Sequence, residues 1–326
     1  MNRNTSSILN RVQSKLKQKK YSNNTLKCYS DWIYRFLFYY ESEYLQKYGE
    51  KEVNHFLKFL EKECYMSLST INQALNAILF LYKNVLEIPV DDFSFKIKHI
   101  KQKPVILKRD EIKKILAALS GEKWLMTGLM YGCGLSVSEC IRIRLKNIDF
   151  ENSVIHVDNG TYCRPTLLPK SLQVPLKNQV NKVKTIFNEN ILSENYIGVV
   201  VSYLDYSREL QTTIKFEDHF LFPSRNLRLD KRDGKLIQFC LSNSYLQKTI
   251  KDVLKNLSLH KNISCQSFRH SFATHLIEVG YDIHVIHELL GHKNVQSTMR
   301  YKDFAERDCT KIVSPIDNLL DNSISN

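Results

Sequence analysis

The sequence predicts a mainly α-helical protein with one small antiparallel β-sheet, arranged as two domains. Apolar residues recur at helical spacing through the first hundred residues and again from residue 225 to residue 320. Between these regions, residues 147–169 are rich in β-branched side chains and contain Asn159-Gly160, a dipeptide typical of hairpin turns. A chain of 326 residues is also longer than one typical core. We expect a helical domain at 1–92, a linker at 93–108, a second domain at 109–320 and a tail at 321–326.

The first domain is predicted to contain three amphipathic helices. Ser22 or Asn24 is suited to cap the first of them, and Ser69 is suited to cap the third. Their apolar faces are Tyr29, Ile33, Phe36 and Leu37; Val53, Phe56, Leu57 and Leu60; and Ile71, Leu75, Ile78, Leu79 and Tyr82.

The linker that follows is basic and has no helical period. It contains Pro104, which favours an extended backbone before it. A basic connector lets two domains reach one polyanionic rod together, so we expect Lys98, Lys101 and Lys103 to contact DNA. The alternative is a solvated surface strand.

The net charge of +13 favours a polyanionic partner such as nucleic acid, although a generally basic proteome would give the same excess. Eight cysteines occur without a CxxC pair, which disfavours a zinc ribbon or a disulfide framework. No apolar segment resembles a signal peptide or a membrane span. These features favour a reduced, cytoplasmic protein.

In the second domain, helices are predicted near residues 110–119, 124–131, 138–145 and 170–190, and again after LFPS at 221–224. Residues 192–220 have a mixed, aromatic-rich pattern that supports no assignment. Residues 264–304 are predicted to form helix, Gly280, helix, Gly291, helix, with Asp282 as a cap. Six of the ten histidines lie between residues 260 and 292. No HExxH spacing occurs among them, and we expect no metal.

The stretch FRHSFATHLIEVGYDIHVIHELLGHKNVQSTMRY closely resembles the C-terminal motifs of tyrosine recombinases, the phage integrase family. Arg269-His270, Leu290-Gly291-His292 and Tyr301 stand at the family's motif positions. The likeness extends to YSNNTLKCYSDWIYRFL, STINQALNAILFLYKNVL and LMYGCGLSVSECIRIRLKNIDF. It is closest to integron integrases, whose characteristic insertion corresponds to residues near 192–220.

The resemblance implies a C-shaped clamp on DNA, made of a helical core-binding (SAM-like) domain and a catalytic domain. Tyr301 would attack a backbone phosphate and form a 3′-phosphotyrosine bond, assisted by Arg269 and His292, with Glu139 and His270 in support. It implies no metal or nucleotide cofactor. It also implies double-stranded or hairpin single-stranded DNA as partner, a homo-tetramer formed by exchange of the C-terminal helix, and action at the nucleoid of a bacterial cytoplasm.

Three family positions differ in this chain. Ser136 stands where the motif Gly-Leu-Arg-x-x-x-Glu has its arginine, Thr161 stands where a hairpin lysine is usual, and Gln266 replaces the first histidine of His-x-x-Arg. A serine cannot provide the permanently charged, bidentate fork of an arginine. Each lost donor typically costs about 2.7–4 kcal/mol at a transition state. We therefore expect impaired cleavage.

Ser136 and Glu139 instead fit the S-x-x-E pattern of a capping box. We expect Arg164 to contact DNA from the hairpin, and we expect neither Arg164 nor Lys170 to replace the missing charges, because active sites tolerate little displacement. The alternative function is a non-catalytic DNA-binding or tetramer-assembly protein, a pseudo-recombinase. A topoisomerase-like activity that relaxes DNA would need the same missing groups. In a decaying relic, the remaining motif residues would need no present function.

Overall fold

The computed structural model describes residues 3–40, 49–89, 104–158, 163–200, 211–230, 233–259, 262–292, 296–299 and 314–317. The chain divides into two compact units, residues 1–102 and residues 103–326. The mainly helical class with a small antiparallel sheet is confirmed. Most of the predicted linker lies outside the described residues, as do Lys98, Lys101 and Lys103.

The first unit packs its helices around an aromatic core. Its helices are α1 (Arg3–Gln18), α2 (Asn23–Tyr39), α3 (Glu50–Lys62) and α4 (Leu68–Leu81), and a π-helical turn, Tyr82–Leu86, follows α4. The Phe36 ring meets those of Phe56 and Tyr82 edge-on, with centroids 5.3 and 6.4 Å away. Edge-to-face contacts of this kind add to the free energy gained by burying the rings.

Of the two predicted caps of α2, Ser22 is the one observed: its hydroxyl accepts a hydrogen bond from the Thr25 amide at 3.2 Å, and Asn24 lies inside the helix. The predicted cap of α4 was wrong. The extended residue is Ser67, whose hydroxyl accepts from the Thr70 amide at 3.3 Å, and Ser69 lies inside the helix. Both serines have suitable neighbours in sequence, and only the backbone conformation distinguishes them.

The second unit contains eight further helices among the residues that the structure describes. They are α5 (Arg109–Ala117), α6 (Gly121–Gly132), α7 (Val137–Arg142), α8 (Lys170–Asn190), α9 (Asn243–Asn256), α10 (Cys265–Glu278), α11 (Ile283–Leu290) and the single turn α12 (Gln296–Met299). Helix α10 is buried along most of its length and packs against α6. Asp282 caps α11 and Gly291, at φ +63°, ends it, as the sequence predicted.

The predicted small sheet consists of β1 (Ile148–Asp149), β2 (Val154–Asp158) and β3 (Cys163–Leu167), in antiparallel order β1-β2-β3. Val157 lies opposite Arg164 in the register. Because side chains alternate between the faces of a strand, Arg164 and Thr166 point inward while Cys163 and Pro165 are exposed. The predicted Asn159-Gly160 turn lies outside the described residues.

A second sheet lies partly in the region 192–220 that the sequence left unassigned and partly after residue 224. Its strands are β4 (Tyr196–Val200), β5 (Thr212–Thr213), β6 (Arg228–Leu229) and β7 (Leu236–Gln238), in the order β5-β4-β7-β6. The expectation that helices resume directly after residue 224 was therefore wrong. Arg144 ties this sheet to the unit by donating to the carbonyls of Asp218 and Val200 at 2.5 and 2.7 Å.

A buried polar pair lies in the core on α6 and α10. The Tyr131 hydroxyl and His275 Nδ1 share a hydrogen bond of 2.9 Å, and His275 is 3% exposed. Burial, reinforced by the positive charge of Arg109, lowers the pKa of His275 to about 4, although Glu278 acts in the opposite direction. His275 is therefore neutral in the folded protein at pH 5, whereas an unfolded histidine is largely protonated there.

We expect this histidine to make the protein less stable as the pH falls. The unfolded state binds the proton below about pH 6.5 and the folded state resists it to about pH 4, so stability is lost as the pH falls through this window. Between pH 7 and pH 5 the loss should be on the order of 2 kcal/mol.

Urea unfolding of the unaltered protein and of His275→Gln at pH 7 and pH 5 measures this difference. The variant should lose less stability between the two pH values, whatever its absolute stability. His156→Gln, at an exposed position of β2, is the control and should keep the original slope. Equal slopes for all three proteins would contradict the assignment.

Candidate active site

The candidate site is built around the carboxylate of Glu139, in the first turn of α7. Ser136 precedes this helix with an extended backbone and forms the predicted capping box: its hydroxyl accepts from the Glu139 amide at 3.2 Å. In return, Glu139 Oε2 accepts from the Ser136 amide at 2.7 Å. The serine hydroxyl is thus committed to the start of the helix.

Two arginines bind this carboxylate, one at each oxygen. Arg269 Nη1 of α10 lies 2.7 Å from Oε2, and Arg164 Nη2 of β3 lies 2.9 Å from Oε1. All three side chains are largely buried, with exposures of 8%, 1% and 9% for Arg269, Arg164 and Glu139. Charges this deeply buried are stable only when they are paired.

The same two arginines also cap the C-terminal end of α11. Arg269 Nη2 donates to the Leu290 carbonyl at 2.5 Å, and Arg164 Nη1 donates to the Leu289 carbonyl. Carbonyls in the last turn of a helix have no partner within it and carry partial negative charge, so cations are favourable there. Arg269 Nη1 also donates to the Gly134 carbonyl at 2.9 Å, which connects the turn before α7 to the same cluster.

Opposing effects set the charge of Glu139. Burial by itself would raise the pKa of this carboxyl group, but the guanidinium groups of Arg269 and Arg164 and the hydrogen bonds from Ser136 outweigh burial. The pKa of Glu139 therefore lies below its ordinary value, and the residue is an anion between two cations at neutral pH.

Gly291 is required by both the backbone and the packing. Its φ of +63° lies in the left-handed region, which favours glycine. A Cβ at this position would also overlap the Cδ and Nε atoms of Arg164. The glycine of the Leu-Gly-His motif thus makes room for the arginine from the hairpin.

His292 follows this glycine and is held by α12. Its Nδ1 shares a hydrogen bond of 2.8 Å with the Thr298 hydroxyl, which is also 3.1 Å from His287 Nδ1. Thr298 is fully buried, so it is a fixed partner for both rings. His270 is half-buried on α10.

Arg164 corrects one expectation from the sequence. It was predicted to contact DNA from the surface of the hairpin, but it is 1% exposed, faces the interior and shares Glu139 with Arg269. The inward face of β3 explains the difference. Its Nε atom is buried without a hydrogen-bond partner among the described residues.

Two of the three positions at which this chain differs from the family lie close together. Ser136 and Gln266 line one pocket of about 530 Å³, with Ser136 half-buried and Gln266 exposed in the first turn of α10. Thr161 and Tyr301 lie outside the described residues. Within the described part of the chain, no cluster of three side chains is suited to hold a metal ion. The helices described there include none long and apolar enough to cross a membrane.

The fold and this arginine–carboxylate cluster define the class of protein. Residues 106–307 match the phage integrase family, and residues 8–92 match the phage integrase N-terminal SAM-like domain. The chain therefore belongs to the phage integrase family, the tyrosine recombinases of site-specific recombination.

Individual relatives agree with this assignment. An integrase/recombinase from Escherichia coli is 29% identical, and the alignment covers 96% of this chain and 94% of the relative. A tyrosine recombinase XerA from Pyrococcus horikoshii is 28% identical, with 91% and 88% covered. Among solved structures, the Tn1549 transposon integrase in complex with circular intermediate DNA has the same fold, with a TM-score of 0.61, 15% identity and coverage of 97% and 98%.

We expect Arg164→Met to destabilise the second unit. Removing one partner of a buried ion pair typically costs about 3–5 kcal/mol, and the lower end is expected here because Arg269 still pairs with Glu139. Arg164→Lys should also be destabilising, since one ammonium group cannot replace a guanidinium that reaches two acceptors.

Urea unfolding measures this loss, and Lys182→Met at an exposed position of α8 is the control. The control should stay within about 0.5 kcal/mol of the unaltered protein, as is usual for surface substitutions. An Arg164→Met protein as stable as the control would contradict the buried pairing.

Gly291→Ala should be more destabilising than an alanine at another left-handed glycine. Gly121→Ala is the matched control, because Gly121 has φ +57° and no atom lies within 4 Å of the position that its methyl group would take. The left-handed backbone should cost each variant about 1–2 kcal/mol.

Only Gly291→Ala must also displace Arg164, so its additional loss measures that contact. Thermal or urea unfolding of both variants gives the difference. Equal losses would show that Arg164 does not need the space above this glycine.

Proposed function

We propose that this chain is a DNA-binding tyrosine recombinase of the integron integrase type whose DNA cleavage step is impaired. In this proposal Tyr301 is the nucleophile that forms a 3′-phosphotyrosine bond, and Arg269 and His292 assist it. The observation that supports the impairment is the role of Ser136. Its hydroxyl caps α7 and has no positive charge with which to bind a phosphate.

The chemistry explains why this substitution matters. Attack on a phosphate builds negative charge on its oxygens, and preorganised cations must hold that charge. Arg164 is the other guanidinium of this cluster, but its 1% exposure and its bonds to Glu139 and Leu289 leave almost no surface for a phosphate. Together with Thr161 and Gln266, Ser136 leaves three family positions without their charged or acidic groups.

Several observations support DNA as the partner. The net charge is +13, and the solved Tn1549 integrase that shares this fold is a DNA complex. We propose double-stranded DNA, or single-stranded DNA folded as a hairpin, as the substrate and a homo-tetramer as the assembly. Lys98, Lys101 and Lys103 of the basic segment at 93–108 remain proposed DNA contacts.

A nicked suicide substrate tests the impairment directly. The unaltered protein should form the covalent DNA adduct at least about a thousandfold more slowly than a variant carrying Ser136→Arg, Thr161→Lys and Gln266→His, since one lost donor alone typically costs a factor of about 10²–10³. Adding Tyr301→Phe to the restored variant should abolish the adduct.

The restored variant loses the cap of α7, which costs about 1 kcal/mol, so its unfolding should be measured in parallel. Rapid adduct formation by the unaltered protein would overturn the proposed impairment.

A second candidate function is a non-catalytic DNA-binding or assembly protein. It is favoured by the same observation, that the Ser136 hydroxyl serves as a helix cap. The cluster around Glu139 stabilises the fold of the site whether or not the site cleaves DNA. This candidate predicts tight, salt-sensitive DNA binding with no adduct from any substrate, since phosphate contacts release counterions. Slow adduct formation through Tyr301 would instead favour the impaired recombinase.

A further inference from the structure

The pocket shared by Ser136 and Gln266 has two lysines in its wall. Lys248 and Lys251 project from α9 on one side of this space of about 530 Å³. They are three residues apart, so they lie on the same face of the helix. Ser136 and Gln266 replace the family's arginine and histidine. They thus share a pocket with two lysines that are not part of the family motifs.

The lining of the pocket is suited to an anion. Among the described residues that form it there are two lysines and no carboxylate, and the polar remainder consists of hydroxyl and amide groups such as those of Asn243, Ser244 and Ser264. Both lysines are exposed, and no carboxylate among the described residues forms an ion pair with either. A polar cleft whose charged groups are all positive attracts phosphate.

These lysines differ from the buried arginines in what they already bind. Arg164 and Arg269 both pair with Glu139 and with carbonyls at the end of α11. Lys248 and Lys251 have no comparable partner in the described structure. An ammonium group on a flexible stem binds phosphate as a point charge but does not provide a fixed bidentate fork. Such a pair is suited to binding DNA rather than to holding a transition state.

We propose that Lys248 and Lys251 bind a phosphate of the DNA backbone in this pocket. They supply positive charge beside Ser136 and Gln266, which restores affinity for the backbone without restoring cleavage. This inference rests on the proposed function in one respect, namely that the chain binds DNA.

Duplex binding as a function of salt tests the pocket. Lys248→Gln with Lys251→Gln should reduce the slope of log affinity against log salt by about two and weaken binding about tenfold or more near physiological salt. The matched control is Lys182→Gln with Lys184→Gln, which removes the same charge from exposed positions of α8. The control should change affinity much less.

A rescue variant locates the effect in the pocket. Ser136→Arg, added to the Lys248→Gln, Lys251→Gln protein, should recover part of the lost affinity, because the new guanidinium enters the same space. The same substitution added to the α8 control should give a smaller gain, since its pocket lysines are intact.

A measurement on the unaltered chain avoids effects of substitution on folding. Bound duplex should protect Lys248 and Lys251 from acylation, followed by mass spectrometry, while Lys182 and Lys184 continue to react. Equal protection of both pairs, or equal loss of affinity in both double variants, overturns the pocket proposal alone. If the unaltered protein does not bind duplex even at low salt, the proposed function is overturned, and the pocket proposal with it.

Discussion

The interaction on which the site depends is the pairing of one buried carboxylate with two buried arginines. Glu139 comes from the start of α7, Arg164 from β3 and Arg269 from α10, and both arginines also bind the end of α11. Four elements from two separate parts of the chain therefore meet at three charges. Because an unpaired charge at this depth is costly, these elements are held in one arrangement.

The arginines of this cluster show that a positive charge in a sequence motif can stabilise the fold as well as bind a substrate. Arg164 and Arg269 satisfy an internal anion and the carbonyls of a helix end, so much of their charge is used within the fold. The proposed function directs only Arg269 of the two at a substrate, so any further charge there would have to come from other groups. Ser136 illustrates the distinction: it completes the same cluster through its backbone amide on Glu139, while its side chain offers no cation to the pocket. The cluster that holds these elements together thus does not depend on a cation at position 136.

The second sheet shows how a segment is joined to this scaffold. Strands β4 and β7 pair in parallel although their paired residues Tyr196 and Leu236 lie about forty positions apart. Arg144 donates to the carbonyl of Val200 at the end of β4 and to that of Asp218 on the segment between the two strands. His219, 3% exposed, bonds to the Tyr196 hydroxyl at 2.7 Å on the same side. Burial lowers the pKa of His219, against hydrogen bonds that act to raise it, so the ring serves here as a neutral packing group. These polar contacts add to the buried apolar side chains of β4 and β7, such as Val199 and Ile237.

The sequence by itself determined what depends on neighbouring residues. Helical period, the caps at Ser22, Ser136 and Asp282, and the strands of the small hairpin all follow from local preferences, and the motif around Arg269 and His292 identified the family. Only the tertiary structure decided features that require distant partners. The direction of Arg164 depends on which face of β3 meets the core, and β4 acquires its parallel partner only when β7 folds against it. Such contacts join residues far apart in the chain, so no local pattern records them.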